Sequence, residues 1–308
     1  MKALRLTLGL CRGWRLLCLA GALSAAILLG ACTRALVPLV TPAAHLTATA
    51  IAGSTLAVIG GIPAGGVRFS IFGVPPGARL MVRQPAGISG TVVAELPADM
   101  RRIGLTGQST PLGSSIWVEM EVPSGSTGWI NLWNLTEDVG SEAFCQDPRV
   151  PALVDTFFAA LRDQSGEALA QTVSPRRGLV LRHDWWNAEI VIPLSEVPDL
   201  MQRADEIPWG VQRGSGAPIV GSFRERMLPE LDALLAGTPQ QACNELLSAD
   251  TGIPAEWPGE YARMNFLSYH LPALDPGPRF NWRSWALGVE YVDGVPYIAI
   301  VVRYQGEL

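Results

Sequence analysis

Few residues in this chain can do acid, base or nucleophilic chemistry. Of 308 residues, three are histidine, five are cysteine and one, Lys2, is lysine. His183 stands beside Asp184 and is followed by Trp185 and Trp186. A histidine with an acidic neighbour could act as a general base. Neighbouring side chains on a strand point to opposite faces, however, so adjacency on a strand would not pair the two. The alternative is a polar and aromatic strand end that closes a core. His270, in "NFLSYHLP", is a second candidate and reads as a core or rim histidine. Together His183, Trp185, Trp186 and His270 define a candidate pocket. Ser215, in "RGSGAP", lies in a glycine-rich loop without a nucleophile-elbow pattern. No His, Cys and acid spacing matches a zinc site. The lack of lysine beyond position 2 removes Schiff-base and phosphate-loop chemistry. No catalytic residue, metal ligand or cofactor is assigned, and an enzyme is not expected.

The cysteines depend on the N-terminus. Lys2, Arg5, Arg12 and Arg15 come first, with no acid, and the uncharged run Leu16–Ala31 ends in "LLGACTR". Basic, then apolar, then small residues is the layout of a secretory signal. The run is shorter than the roughly 20 apolar residues that span a bilayer. Leu29, Gly30 and Ala31 before Cys32 resemble the lipobox of bacterial lipoprotein precursors. That resemblance implies removal of residues 1–31 and lipidation of Cys32. It places the protein outside the cytoplasm, anchored to the cell membrane, or to an outer membrane where one exists. Several acyl chains anchor stably, at about 0.8 kcal/mol per buried methylene. The alternative is an uncleaved anchor helix running on through "ALVPLV", which Arg34 and Pro38 oppose.

On this reading Cys11 and Cys18 leave with the signal and Cys32 carries lipid. Cys145 and Cys243 remain, an even number in an oxidising compartment, so a disulfide is the economical assignment. The alternative is two buried free thiols. Loss of four basic residues takes the formal charge from −5 to −9, which does not suit nucleic acid as a partner.

Residues 32–66, rich in Ala, Thr, Gly and Pro, read as a flexible tether that includes His45. Residues 67–140 contain short alternating runs separated by "PPG", "PAGISG" and "PSGSTG", the pattern of a small all-β barrel or sandwich. In "SIWVEMEV", Ile116, Val118, Met120 and Val122 share one face, and Trp117, Glu119 and Glu121 share the other. Residues 145–308 begin with helical periodicity. Val150, Leu153, Val154, Phe157, Phe158 and Leu161 form one stripe, with Asp147 as a plausible N-cap. "SGEALAQTV", "SEVPDLMQRA" and "GSFRERMLPELDALLAG" read as helices, and "RGLVLRH" and "AEIVIPL" as strands. The chain closes on a hairpin around Asp293-Gly294.

Three stretches, "ARLMVRQPAG", "GTVVAELPADMRRIGLTG" and "WVEMEVPSGSTGWINLWNLTE", resemble in order and spacing the bacterial SH3 (SH3b) domains. Met81 and Gln84 depart from that family's usual Asn and small polar residue, beside the loop that shapes its ligand groove. The resemblance implies a small barrel that binds cell-wall peptides or proteins without chemistry. Its candidate groove is Arg83, Trp117, Trp129 and Trp133. The alternative is that these tryptophans complete a thinly covered core, a reading that suits Trp129 best. SH3b domains also accompany cell-wall hydrolases, but the two remaining cysteines are assigned to each other and the histidines are too few for a zinc amidase.

"SPRRGLVL", "WGVQRGSGAPI" and "EYVDGVPYIAIV" resemble an uncharacterised secreted bacterial domain of nuclear transport factor 2-like (cystatin-like) type. That resemblance implies a curved sheet over helices and carries no activity. The expected fold is therefore an SH3-like barrel followed by an α+β domain with helices packed on a curved antiparallel sheet. The expected function is a lipid-anchored, non-catalytic envelope protein that binds peptidoglycan or a protein ligand. The alternatives are a cell-wall or ester hydrolase with its site in the C-terminal domain, and a purely structural module.

Overall fold

A computed structural model describes residues 66–122, 124–248, 255–273 and 281–306. The signal, Cys32 and all but the last residue of the tether lie outside the described residues. Among the described residues the protein is mostly sheet, with fifteen strands and five α-helices in a multi-sheet arrangement.

The N-terminal module holds β1 (Phe69–Ile71), β2 (Arg79–Gln84), β3 (Thr91–Pro97), β4 (Leu105–Leu112), β5 (Ser115–Glu121), β6 (Thr127–Asn131) and β7 (Leu135–Glu137). Five strands pair in the order β3-β2-β6-β5-β4, and β1 pairs with β7. Alternation drives this arrangement. Val118, Met120 and Val122 turn inward and join Val82, Leu96, Ile130 and Leu135 in one core. Pro111 sits in β4, the edge strand, where a missing N–H is tolerated. Gly128 is required on β6: a Cβ there would lie 2.5 Å from Val82 Cγ1 and 2.9 Å from Val93 Cγ2.

The C-terminal part opens with α1 (Ser141–Gln146), α2 (Arg149–Arg162) and α3 (Gly166–Ala170). The stripe read from the sequence is the buried face of α2, with Val150, Val154, Phe157, Phe158 and Leu161 all in the core. Fully burying one such side chain contributes about 1.5–3 kcal/mol. Pro148 takes the N-cap position of α2 itself. Asp147, one residue earlier, still accepts the Arg149 N–H at 3.0 Å.

Next come β8 (Leu179–Arg182), β9 (Ile190–Ile192), β10 (Ile207–Val211), β11 (Pro218–Gly221), α4 (Phe223–Arg226), α5 (Leu228–Leu235), β12 (Gln240–Cys243), β13 (Asn265–Leu271), β14 (Arg283–Val292) and β15 (Val295–Gln305). A six-stranded sheet runs β12-β13-β14-β15-β8-β9. It is not wholly antiparallel as expected, because β8 joins β15 in parallel. The expected helix in "SEVPDLMQRA" is only a 3-10 turn at Leu194–Glu196, since Pro198 cannot supply a helical N–H. The terminal hairpin is as read: Val292 pairs with Val295, and Asp293 and Gly294 both take positive φ (53° and 73°).

The two faces of this sheet are covered differently. Leu181, Leu267, Tyr269, Trp285, Leu287 and Val301 meet the helices. Val180, Phe266, Ala286, Ile300, Val302 and Tyr304 form a second core on the opposite face, which also takes in Phe72 from the N-terminal module. The described residues form one compact unit.

At the seam Arg177 is wholly buried. Its Nε donates to Glu290 Oε2 at 2.9 Å, and its two Nη groups donate to the carbonyls of Trp133 and Leu135. Its guanidinium lies 3.8 Å from the Phe72 ring centroid, and Phe72 stacks on Tyr261 at 5.3 Å. Desolvation pushes the Arg177 pKa down, and the Glu290 charge opposes that shift. Glu137 closes the other end, accepting N–H bonds from Asp293 (2.7 Å) and Gly294 (3.2 Å).

Asp147 gives a pH-dependent element to this packing. Its carboxylate accepts from the Arg149 guanidinium and backbone and from the Tyr291 hydroxyl at 2.9 Å. The Arg149 hydrogen bond, more than any other cause, lowers its pKa to about 2. A carboxyl depressed on folding adds stability above its ordinary pKa and loses it as pH falls through the folded value. Asp147→Asn should therefore cost about 1 kcal/mol at neutral pH, after screening of the exposed Arg149. It should also flatten the stability loss between about pH 4 and 2, read from urea midpoints against pH. An acid limb unchanged in the variant would contradict this.

Candidate functional site

The module presents an open face around Arg83 and Trp129. These residues are direct cross-strand partners on β2 and β6, and Glu119 on β5 faces Trp129 from the other side. Opposed residues of this kind share a face. Arg83 Nη1 donates to Gly90 O at 2.8 Å, which holds the guanidinium against the loop between β2 and β3. That loop carries Ile88, 86% exposed. Val92 and Leu112 are also exposed and apolar, and Gly87 brings the loop up to Leu112. The face therefore combines a half-buried tryptophan, a held arginine, a carboxylate and an apolar rim.

The four groove candidates do not form one set. Trp117, 6% exposed, shares the Trp129 face through its Asn131 pairing but is too buried to meet a ligand. Trp133 lies in the 3-10 turn Leu132–Asn134, where the Arg177 guanidinium sits 5.3 Å from its ring centroid. It belongs to the seam. It also lines a cleft of about 370 Å³ with Ser115, Ile116, Asn131, Arg176 and Val191. Arg83 and Trp129 remain as neighbours on the open face.

The pocket candidates are likewise divided. β8 ends at Arg182, so strand alternation no longer governs His183 and Asp184. His183 Nδ1 bonds Asp184 Oδ2 at 2.9 Å, a pairing that strand geometry would forbid. Asp184 Oδ1 accepts from Arg303 Nη1 at 2.9 Å. His183 lines a cavity of about 270 Å³ with Gln212, Glu225, Arg226, Glu230 and Arg303. No Ser, Thr or Cys lines it among the described residues.

His270 lies on the other face of the sheet, on the Phe266 side of β13. There its Nδ1 meets Ser284 Oγ at 2.8 Å and its ring lies 5.9 Å from Trp282. Burial lowers its pKa. Trp185 and Trp186 pack edge to face with Arg213 beside both rings, and Trp185 leans on the second core. His183 and His270 thus cannot serve one site.

Sequence reasoning passed over Arg303, Glu290 and Arg177. For Arg303 and Glu290 the available signal was an ionisable residue inside a near-continuous apolar run, "AIVVRY" and "ALGVEYV"; Arg177, in "SPRRGL", carried no such signal. Among the described residues no group of three or more His, Cys, Asp or Glu side chains is placed to hold a metal ion. No described helix is long and apolar enough to cross a membrane. No protein-family model, curated protein or solved structure matches the chain.

Proposed function

We propose that this is a lipid-anchored, non-catalytic protein of the bacterial cell envelope. Its N-terminal module is an SH3-like barrel that binds peptidoglycan or a peptide ligand through the Arg83–Trp129 face. The observation that carries this reading is the composition of that face. An aromatic surface beside a fixed arginine gives contact area at low entropic cost, and the apolar rim suits an extended peptide. The disulfide between Cys145 and Cys243 fits an oxidising compartment. A hydrolase centred on His183 is the second reading, favoured by the His183–Asp184–Arg303 chain. No Ser, Thr or Cys lines the cavity among the described residues, and its carboxylates are engaged, Glu225 in a capping box and Glu230 beside Arg283, which ranks this reading below binding.

Anchoring is tested by fractionation. The wild-type protein should sediment with membranes, and its N-terminal peptide should start at Cys32 with acyl mass. Cys32→Ser should leave the protein unacylated and uncleaved. An intact segment of residues 1–32 on the exported wild-type protein would overturn the assignment. Ligand binding is tested with purified sacculi, to which the detergent-solubilised protein should bind saturably; protein left wholly in the supernatant would overturn the wall-binding role.

A further inference from the structure

The cavity beside His183 is built from polar side chains that are already held in place. Asp184 fixes His183 at Nδ1, so Nε2 is the ring nitrogen left for a ligand. Arg303, 4% exposed, is held by Asp184 at 2.9 Å and by the His183 carbonyl at 3.3 Å. Arg226 Nε donates to Val220 O at 2.7 Å. Glu225 is locked in a capping box with Ser222, whose backbone N–H it accepts at 2.9 Å, and this lowers its pKa. Glu230 lies 3.2 Å from Arg283 Nε and 3.8 Å from Arg303 Nη2. Several polar groups of this cavity are thus positioned by a second group, which preorganises it for recognition even though Gln212, Glu225 and Arg226 are exposed.

The charges around it cancel. Asp184, Glu225 and Glu230 face Arg226, Arg283 and Arg303, with the amides of Gln212 and Gln305 at the rim. An anion or a cation would meet as much repulsion as attraction there. A hydroxyl both donates and accepts, so it can satisfy carboxylate, guanidinium, amide and imidazole together. We propose that this cavity, on the C-terminal part, is a second ligand site that binds an uncharged saccharide. The site is independent of the barrel's ligand and requires no chemistry.

Isothermal titration of the detergent-solubilised protein with maltotriose, cellotriose and chitotriose tests this. At least one should bind saturably, with a Kd on the order of 1 mM or tighter. His183→Ala and the exposed-site change Gln212→Ala should each weaken it by about tenfold or more, with unaltered thermal melting. Gln212→Ala keeps the test valid should His183→Ala not fold. Trisaccharide binding should survive in Trp129→Ala; loss of it there would place the saccharide on the Arg83–Trp129 face and overturn the proposal. No saturable binding of any of the three, or equal binding by wild type and both cavity variants, would overturn the proposal.

Discussion

Replacing Arg177 with methionine should destabilise the protein by about 3–5 kcal/mol, the usual cost of leaving a buried charge without its partner. Arg177 and Glu290 are both fully buried, so no water would replace the lost ion pair. The same change strips hydrogen-bond donors from the carbonyls of Trp133 and Leu135. Ser174 still donates to Glu290, but one hydroxyl does not neutralise a carboxylate. The double change Arg177→Met with Glu290→Leu should recover part of the loss, because a well-packed apolar pair removes the orphaned charge. Recovery stays partial because the two carbonyls remain unpaired. Since these carbonyls belong to the N-terminal module and Glu290 to β14, the single variant should also lose the one-step unfolding expected of a single compact unit. Urea unfolding followed by tryptophan fluorescence reads both effects. A loss under about 1 kcal/mol would show that Arg177 does not join the two parts.

Removing the disulfide should cost a comparable amount. Cys145 on α1 and Cys243 on β12 are bonded with Cα atoms 5.9 Å apart at a sequence separation of 98. Closing a loop of that length restricts the unfolded chain by about 4–5 kcal/mol on the chain-entropy account. The bond also pins β12, an edge strand of only four residues, to the helix beside it. The other ties there are light. Asn244 donates to Ser141 Oγ at 2.7 Å and Asn265 Oδ1 at 2.9 Å. A Cys145→Ser/Cys243→Ser protein should therefore unfold at lower urea, and β12 amides should exchange ahead of β14 and β15. Equal urea midpoints for the oxidised and double-serine proteins would contradict this.

What the sequence made legible depended on how far each signal was local. The α2 stripe and the Asp293-Gly294 turn are set by nearest neighbours, and both stand where their pattern puts them. β13 gave no alternation to read, because Phe266 through His270 is buried on both faces. The parallel partner of β15 lies more than a hundred residues away in β8, and no local pattern encodes that pairing. The His183–Asp184 bond was hidden for a different reason: a strand boundary shifted by one residue cancels the alternation argument. In the N-terminal module the core reading suited Trp129 best by sequence, and the structure reverses it, covering Trp117 instead. Trp117 is covered, Trp133 is taken by the seam, and Trp129 stays on the open face beside Arg83.

That last distinction is where the functional account is most exposed. Co-sedimentation of the detergent-solubilised protein with purified sacculi, comparing wild type with the Arg83→Ala/Trp129→Ala double variant, tests it directly. The wild type should pellet saturably and the folded double variant should stay in the supernatant. Equal pelleting of the two, or no pelleting of the wild type, would contradict the claim that this face binds the cell wall.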